Sequence, residues 1–342
     1  MIELSPGYRI SRLIKGGWQL AGGHGPIDKA NAVKDMFAYA EAGITTFDCA
    51  DIYTGVEELI GSFLREWRAV HPSLPLQVHT KYVPDLESLA TLKPEAVEAT
   101  IDRSLQRLGV PMLDLVQFHW WDFDQPGYVE TAGVLGELRR KGKIRNVGTT
   151  NFDAERLRQL LDAGVPVVSN QVQYSLLDRR PAGALSRLCA ASGVKLLCYG
   201  ALAGGFLSPK WLGQAEPQEP QENRSLTKYK LIIEEAGGWG HFQELLRALT
   251  SIGAKHGVSC GAVALRWTLD QPQVAAAIAG ARSAAHLRGT LEALTFSFDD
   301  ADRASLRAIL AKEPGPAGEI YALEREKGGR HARIMKTNLN RS

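Results

Sequence analysis

Long apolar runs are missing from this chain. Nowhere do 18 apolar residues follow one another, and the opening "MIELSPGYRI" has no basic stretch leading into an apolar one. The first absence argues against a membrane-spanning helix, and the second gives no export signal to expect. Cysteine is scarce: Cys49, Cys189, Cys198 and Cys260 stand singly, without the paired spacing of a zinc site or a disulfide framework. A reduced, cytoplasmic setting is the expectation. Basic blocks are lacking too, and with a formal net charge of +2 there is no electrostatic footprint for nucleic acid or an anionic membrane. A G-x-G-x-x-G loop is also absent, since "GGWQLAGGHG" has the glycines without the spacing. That argues against an open dinucleotide-binding sheet.

What is present is an ordinary globular composition, 44% hydrophobic and 23% charged over 342 residues, which excludes disordered and fibrous classes. The expected partner is a small molecule; nothing in the residues bears on oligomeric state. Short apolar runs alternate with stretches of helical period, the pattern of βα units around a parallel sheet. Eight candidate strands occur, at 15–21, 44–50, 76–82, 113–120, 144–151, 167–174, 194–200 and 274–280. Amphipathic segments separate them. In "KPEAVEATIDRSLQRLG", Val97, Ile101, Leu105 and Leu108 share one face between Pro94 and Gly109. Eight such units predict an α/β fold, a closed (β/α)8 TIM barrel over residues 1–312. Residues 208–240, after the seventh strand, read as a long loop and a candidate lid, and 313–342 as a C-terminal extension.

In a parallel barrel the C-terminal strand ends share one mouth, so polar residues gathered there are candidates for chemistry. They are Asp48 and Tyr53 after the second strand, Lys81 on the third, His119 on the fourth, Thr150 and Asn151 on the fifth, Gln171 on the sixth and Tyr199 on the seventh. Singly, each has an ordinary explanation: Asp48 as a turn cap, Lys81 as a snorkelling side chain, His119 as a hydrogen-bonded core residue, Tyr53 as packing. Together they suit proton delivery to a carbonyl oxygen. A phenol with a reference pKa of about 10 is a poor acid near neutrality unless a cation such as Lys81 stabilises its anion. Asp48 would hold that cation, and His119 would hydrogen-bond the substrate oxygen from the other side.

These residues lie in stretches that resemble the aldo-keto reductases: "FDCADIY", "TKY", "LVQFHWWD", "GKIRNVGTTNF" and "NQVQYSLL". The resemblance covers about residues 8–295. It implies Tyr53 as proton donor, Lys81 and Asp48 tuning it, and His119 orienting the carbonyl. It also implies that Thr150, Asn151 and Gln171 hold a nicotinamide carboxamide, with Tyr199 stacked on the ring. Further cofactor contacts are expected from Gly17, Trp18, Gly200, Leu202, Gly204 and Gly280. Aligning "AGARSAAHLRGTLEAL" on the family's adenosine segment puts His286, Gly289 and Thr290 at its usual contact positions, with Arg282 and Ser283 placed for a 2′-phosphate. NADPH is therefore expected ahead of NADH. Trp18, Tyr53, Tyr82, His119, Trp120 and Trp121 are the expected substrate wall.

Two other classes are open to the same residues. A cofactor-binding regulatory or structural subunit would keep the fold with little turnover. A metal-dependent barrel enzyme would need clustered ligands, and besides His119 only His79 is near; no metal is expected.

Overall fold

The structure is a computed structural model that describes residues 1–22, 25, 27–218, 221–280 and 283–340. An N-terminal hairpin of β1 (Ile2–Ser5) and β2 (Tyr8–Ile10) comes first. Eight parallel strands follow: β3 (Leu13–Gly16), β4 (Thr46–Asp48), β5 (Gln77–Tyr82), β6 (Leu113–Phe118), β7 (Ile144–Thr150), β8 (Val167–Gln173), β9 (Lys195–Tyr199) and β10 (Val274–Gly280). They pair in chain order, and β10 closes on β3 with Ala277 opposite Leu13 and Gly280 opposite Gly16. The (β/α)8 barrel expected from the strand count is the fold. Because both faces of each strand are covered, the strands are buried along nearly their whole length, whether apolar as in β10 (VAAAIAG) or carrying polar residues as in β8 (VVSNQVQ).

Around the barrel lie α1 (Lys29–Glu41), α2 (Val56–Val70), α3 (Pro94–Leu108), α4 (Tyr128–Arg140), α5 (Ala154–Asp162) and α6 (Ala184–Ser192). Local chemistry sets their ends. Asp28 and Asp153 accept main-chain N–H bonds as N-caps of α1 and α5. Gly109 stops α3 at φ 62°, a conformation open to glycine at little steric cost. The later helices are α7 (Arg224–Glu235), α8 (Gly238–His256), α9 (Cys260–Leu269), α10 (Leu287–Leu291), α11 (Asp300–Leu310) and α12 (Ala322–Arg325). No helix among the described residues is long and apolar enough to cross a membrane.

The hairpin covers the N-terminal end of the barrel. Its Leu4, Tyr8 and Ile10 join Ile14, Leu115, Leu197 and Ala275 in one buried cluster, and Tyr8 Oη meets His79 Nε2 at 3.1 Å. The N-terminal end of the barrel is thereby plugged.

The stretch read from sequence as a loop after the seventh strand contains α7, capped by Asn223. That helix lies over the open mouth, where Ser225, Lys228 and Tyr229 line the cavity. The chain's last segment crosses the same mouth. Glu324 is buried and pairs with Lys228 of α7 at 3.2 Å, while Asn340 donates to the Val83 oxygen at 2.7 Å.

Candidate active site

A cavity of about 840 Å³ opens at the C-terminal mouth of the barrel. Its floor is built from four strands. Asp48 ends β4 and accepts from Lys81 Nζ of β5 through Oδ2 at 2.5 Å. Through Oδ1 it accepts from Gln117 Nε2 of β6 at 3.0 Å and Gln171 Nε2 of β8 at 2.7 Å. Lys81 also donates to the Cys49 oxygen at 2.8 Å. A buried ion pair survives only when its remaining lone pairs and protons are matched, and here both partners have further hydrogen bonds.

Tyr53 sits in the turn between β4 and α2, fixed by its N–H to the Ala50 oxygen at 3.0 Å. Lys81 Nζ is 5.0 Å from the centroid of its ring, and the Trp18 ring packs on it at 5.1 Å. Burial pushes the Lys81 ammonium toward neutrality, but Asp48 more than reverses this and holds it above its ordinary value. Burial also raises the Tyr53 phenol, which Lys81 pulls down and Asp48 pushes up; the balance stays raised. The sequence alone led to the opposite expectation for the phenol, because desolvation of the pocket is a property of the whole fold.

His119 follows β6, buried to 2% exposure. Its Nδ1 lies 3.2 Å from the Thr150 oxygen, and Nε2 has no hydrogen-bond partner among the described residues. Burial lowers its pKa to about 3, helped by the nearby Arg325, Lys228 and Lys81 charges against the bond to Thr150. The imidazole is neutral near pH 7.

The structure brings most of the expected residues onto this cavity. Trp18, Asp48, Tyr53, Lys81, His119, Trp121, Thr150, Asn151, Gln171, Tyr199, Gly200, Leu202, Gly204, Gly280, His286 and Thr290 all line it. Two aromatic residues do not. Tyr82 and Trp120 follow directly after Lys81 and His119; side chains alternate along a strand, so these two turn outward into the core. There Tyr82 stacks on Phe118 at 6.0 Å, and Trp120 Nε1 donates to the Gln125 oxygen at 3.0 Å. They are packing residues rather than substrate wall. Gly17 also falls outside the lining, its N–H donating to the Asp48 oxygen at 2.8 Å; a Cβ there would meet that oxygen at 2.7 Å. Ser283 lies beyond the lining as well, and Arg282 falls outside the described residues.

Four residues of the site escaped the sequence reading. Gln117 lies two positions before His119, hence on the same inward face, and a glutamine inside "LDLVQF" was the available signal. Tyr321, Lys228 and Arg325 come from the tail and α7, and no local pattern announces them. Tyr321 presents its ring to His119 edge-on at 5.6 Å. Asn151, Ala203 and Tyr321 are three of the four non-glycine residues with positive φ among those described, and such strained backbone gathers at functional sites.

The lining also fits a nicotinamide cofactor. Hydroxyl and amide groups of Thr150, Asn151 and Gln171 form one wall, with Tyr199 beside them, its Oη donating to Asn151 Oδ1 at 2.8 Å. Next to it the main chain turns through Gly204, at φ 64°, where a Cβ would come within 2.7 Å of Tyr229. Residues 12–311 match the model of the aldo/keto reductase family.

The chain belongs to the aldo/keto reductase family. It is an NAD(P)H-dependent oxidoreductase that acts on carbonyl groups. It is 27% identical over 321 residues to the NADH-specific methylglyoxal reductase of Escherichia coli (strain K12), covering 88% of this chain and 94% of that protein. A glycerol dehydrogenase from Gluconobacter oxydans superposes with a TM-score of 0.76 at 27% identity, over 90% of this chain and 94% of the other. Flagellar radial spoke protein 5 of Chlamydomonas reinhardtii is 33% identical over 258 residues, 65% of this chain and 49% of that longer protein. The chain thus spans about half the length of that relative.

Proposed function

We propose that this aldo/keto reductase converts aldehydes or ketones to alcohols with Tyr53 as the proton donor and NADPH as the preferred cofactor. The observation that carries the reading is the buried Lys81–Asp48 pair at 2.5 Å, with its ammonium 5.0 Å from the Tyr53 ring centroid. A phenol that gives up its proton here leaves an anion beside a fixed cation, which lowers the barrier relative to the same phenol in an apolar pocket. The bound nicotinamide supplies the hydride.

Thr150, Asn151 and Gln171 hold the carboxamide, Tyr199 covers the ring, and main-chain groups at Gly200, Leu202 and Gly204 meet the pyrophosphate. Gly280, His286 and Thr290 flank the adenosine, with Arg282 and Ser283 reading the 2′-phosphate. Trp18, Trp121 and Tyr321 give the substrate side an aromatic wall suited to apolar or aromatic carbonyl compounds. In this reading residues 1–312 are the barrel domain and 313–342 an extension over its mouth. The four cysteines are free and buried, which fits a cytoplasmic protein.

A second reading, a nicotinamide-binding structural or regulatory subunit with little turnover, draws on the likeness to the radial spoke protein. Following the absorbance of NADPH with a panel of activated aldehydes separates the two. Consumption that disappears in Tyr53→Phe supports the reductase; cofactor binding without consumption for any member supports the second reading.

A further inference from the structure

We propose that Glu324 is a positioning residue that couples the two halves of this site: its buried carboxylate fastens the C-terminal segment to α7, so that a cofactor held under α7 also sets the tail that forms the substrate wall. The inference rests on the reductase reading and adds a coupling between its two ligands.

The Glu324 carboxylate enters from α12, its side chain 0% exposed. Its Oε1 lies 3.2 Å from Lys228 Nζ of α7, and its Oε2 lies 3.7 Å from Arg180 Nη1 in the loop after β8. Arg180 has a second carboxylate. Its Nη2 and Nε donate to Asp178 at 2.6 and 2.9 Å, and Asp178 also accepts from Gln173 Nε2 of β8 at 2.7 Å. Burial raises the Glu324 carboxyl, and the Lys228 and Arg180 charges more than reverse this, holding it below its ordinary value. The Lys228 ammonium sits 5.2 Å from the ring centroid of Tyr199 and 5.4 Å from that of Tyr321. Tyr199 belongs to the cofactor wall in this reading. Tyr321 precedes Glu324 by one turn and presents its ring edge-on to His119.

Well-packed apolar side chains often stabilise a fold as much as a buried ion pair does, so stability alone is a poor reason for four charges here. Their placement supplies a better one. When Glu324 is neutralised Arg180 keeps Asp178, whereas among the described residues Lys228 pairs with no carboxylate but Glu324. The same two elements also meet at the rim, where Arg330 Nη1 reaches Glu234 at 2.6 Å and Arg224 donates to the Ile334 oxygen. An exposed pair such as the first contributes little. On its other side α7 touches the glycine turn of the cofactor wall, since a Cβ on Gly200 would come within 2.5 Å of Tyr229. A ligand that fixes α7 therefore fixes Lys228, Lys228 holds Glu324, and Glu324 holds Tyr321. By linkage the coupling runs both ways, so a substrate against Tyr321 tightens the cofactor. No covalent step is involved.

The test is amide hydrogen exchange in the full chain, free and with NADPH, for the wild type, Glu324→Gln, Lys228→Met and Arg330→Ala. Binding of NADPH is read separately by tryptophan fluorescence. NADPH is expected to slow exchange across residues 319–335 by about 10-fold in the wild type, and by less than about threefold in Glu324→Gln and Lys228→Met. Arg330→Ala, at the rim, should keep the wild-type response. NADPH that binds the wild type without slowing exchange there, or slows it equally in Glu324→Gln, overturns the proposal, as does a larger loss in Arg330→Ala. A second measurement is kinetic, with NADPH saturating and 4-nitrobenzaldehyde varied. Glu324→Gln and Lys228→Met should each raise KM about 10-fold with kcat within about threefold, and the double variant should be no worse than either. An unchanged KM, or losses that multiply in the double variant, overturns it, since a structural role alone would move the unfolding midpoint and leave KM in place. Should the wild type bind NADPH but reduce no aldehyde, the reductase reading fails while the exchange result still decides the coupling. NADPH that does not bind at all overturns both.

Discussion

Arg325 Nη2, in the C-terminal segment, donates to the main-chain oxygen of Asn151 at the end of β7, at 3.0 Å. The same guanidinium donates to the oxygens of Trp120 at 2.9 Å and Trp121 at 3.1 Å, and lies 4.2 Å from the Phe123 ring centroid. One side chain from the tail thus ties two catalytic-face loops together and supports Asn151, whose φ of 61° is unfavourable for a residue with a Cβ.

Replacing it tests that role. Arg325→Met keeps part of the stem and removes every donor, leaving four main-chain oxygens, those of Trp120, Trp121, Asn151 and Ile320, to find new partners. A loss of about 2–4 kcal/mol is expected in urea unfolding, the scale of several charge-assisted bonds partly replaced by water. Arg325→Lys should recover less than half, since an ammonium lacks the planar fork. An unchanged unfolding midpoint would show that the tail contributes nothing to the barrel's mouth.

Tyr53→Phe removes one oxygen from a half-buried ring that packs on Trp18. Turnover should fall by about 10² to 10⁴-fold, the span of general acid catalysis, while cofactor affinity stays within about twofold. More than about a tenth of the activity remaining would sink the assignment.

For Lys81→Met the direction of the pH effect follows from the site's charges. Lys81 lowers the Tyr53 pKa, whereas burial and Asp48 raise it. Deleting the ammonium therefore moves the limb governed by Tyr53 to higher pH, and turnover should collapse. Asp48 would be left buried with only Gln117 and Gln171 as donors, at a cost of about 3–5 kcal/mol. Asp48→Asn combined with Lys81→Met should be more stable than Lys81→Met alone. Superimposable pH profiles for Lys81→Met and wild type would make Lys81 a structural residue.

The sequence already carried the barrel, because eight short, largely β-branched or apolar segments recur between stretches of helical period. It carried Asp48, Lys81 and His119 as polar residues where such runs end. What escaped depended on facing or on distance along the chain. Tyr82 and Trp120 look like mouth residues in a linear reading; the two-residue alternation of a strand sends them outward once Lys81 and His119 point in. Gln117 shares the inward face of His119 but lies one layer below the mouth, inside the strand rather than at its end, where polar residues were sought. The helix α7 is preceded by "QAEPQEPQEN", which masks the amphipathic "LTKYKLII" that follows. Tyr321 and Arg325 meet partners about 200 positions away in the chain, and no local window contains that contact.

Acid stability has one identifiable contributor at α11. Burial raises the Asp302 carboxyl, but bonds to Lys255 and His256, with the Asp299 main chain, bring it down to about 2 from 3.8. A depressed carboxyl stabilises the fold above its unfolded value, and that contribution is lost as pH falls through the folded value. The wild type should therefore lose about 2 kcal/mol relative to Asp302→Asn between about pH 4 and pH 2. The comparison is of unfolding midpoints for the two proteins at matched pH. A constant difference across that window would remove Asp302 from the account.

Under the proposed preference for NADPH, the 2′-phosphate would be read where the chain leaves β10. Gly280, His286 and Thr290 line one stretch of the cavity wall, and Thr290 Oγ1 donates to the His286 oxygen at 2.9 Å, which leaves it an acceptor toward the ligand. None of these supplies a fixed cation for a 2′-phosphate. Arg282 and Ser283 fall between them in sequence, and a guanidinium with a hydroxyl is the pairing that binds such a group best. NADPH should bind more tightly than NADH, and Arg282→Ala should weaken NADPH by about 1.5–3 kcal/mol, about 10- to 150-fold, while leaving NADH almost unchanged. Quenching of tryptophan fluorescence reads both titrations, since Trp18 borders the cavity. Equal affinities in the wild type, or equal losses in the variant, would mean that the phosphate is recognised elsewhere or not at all.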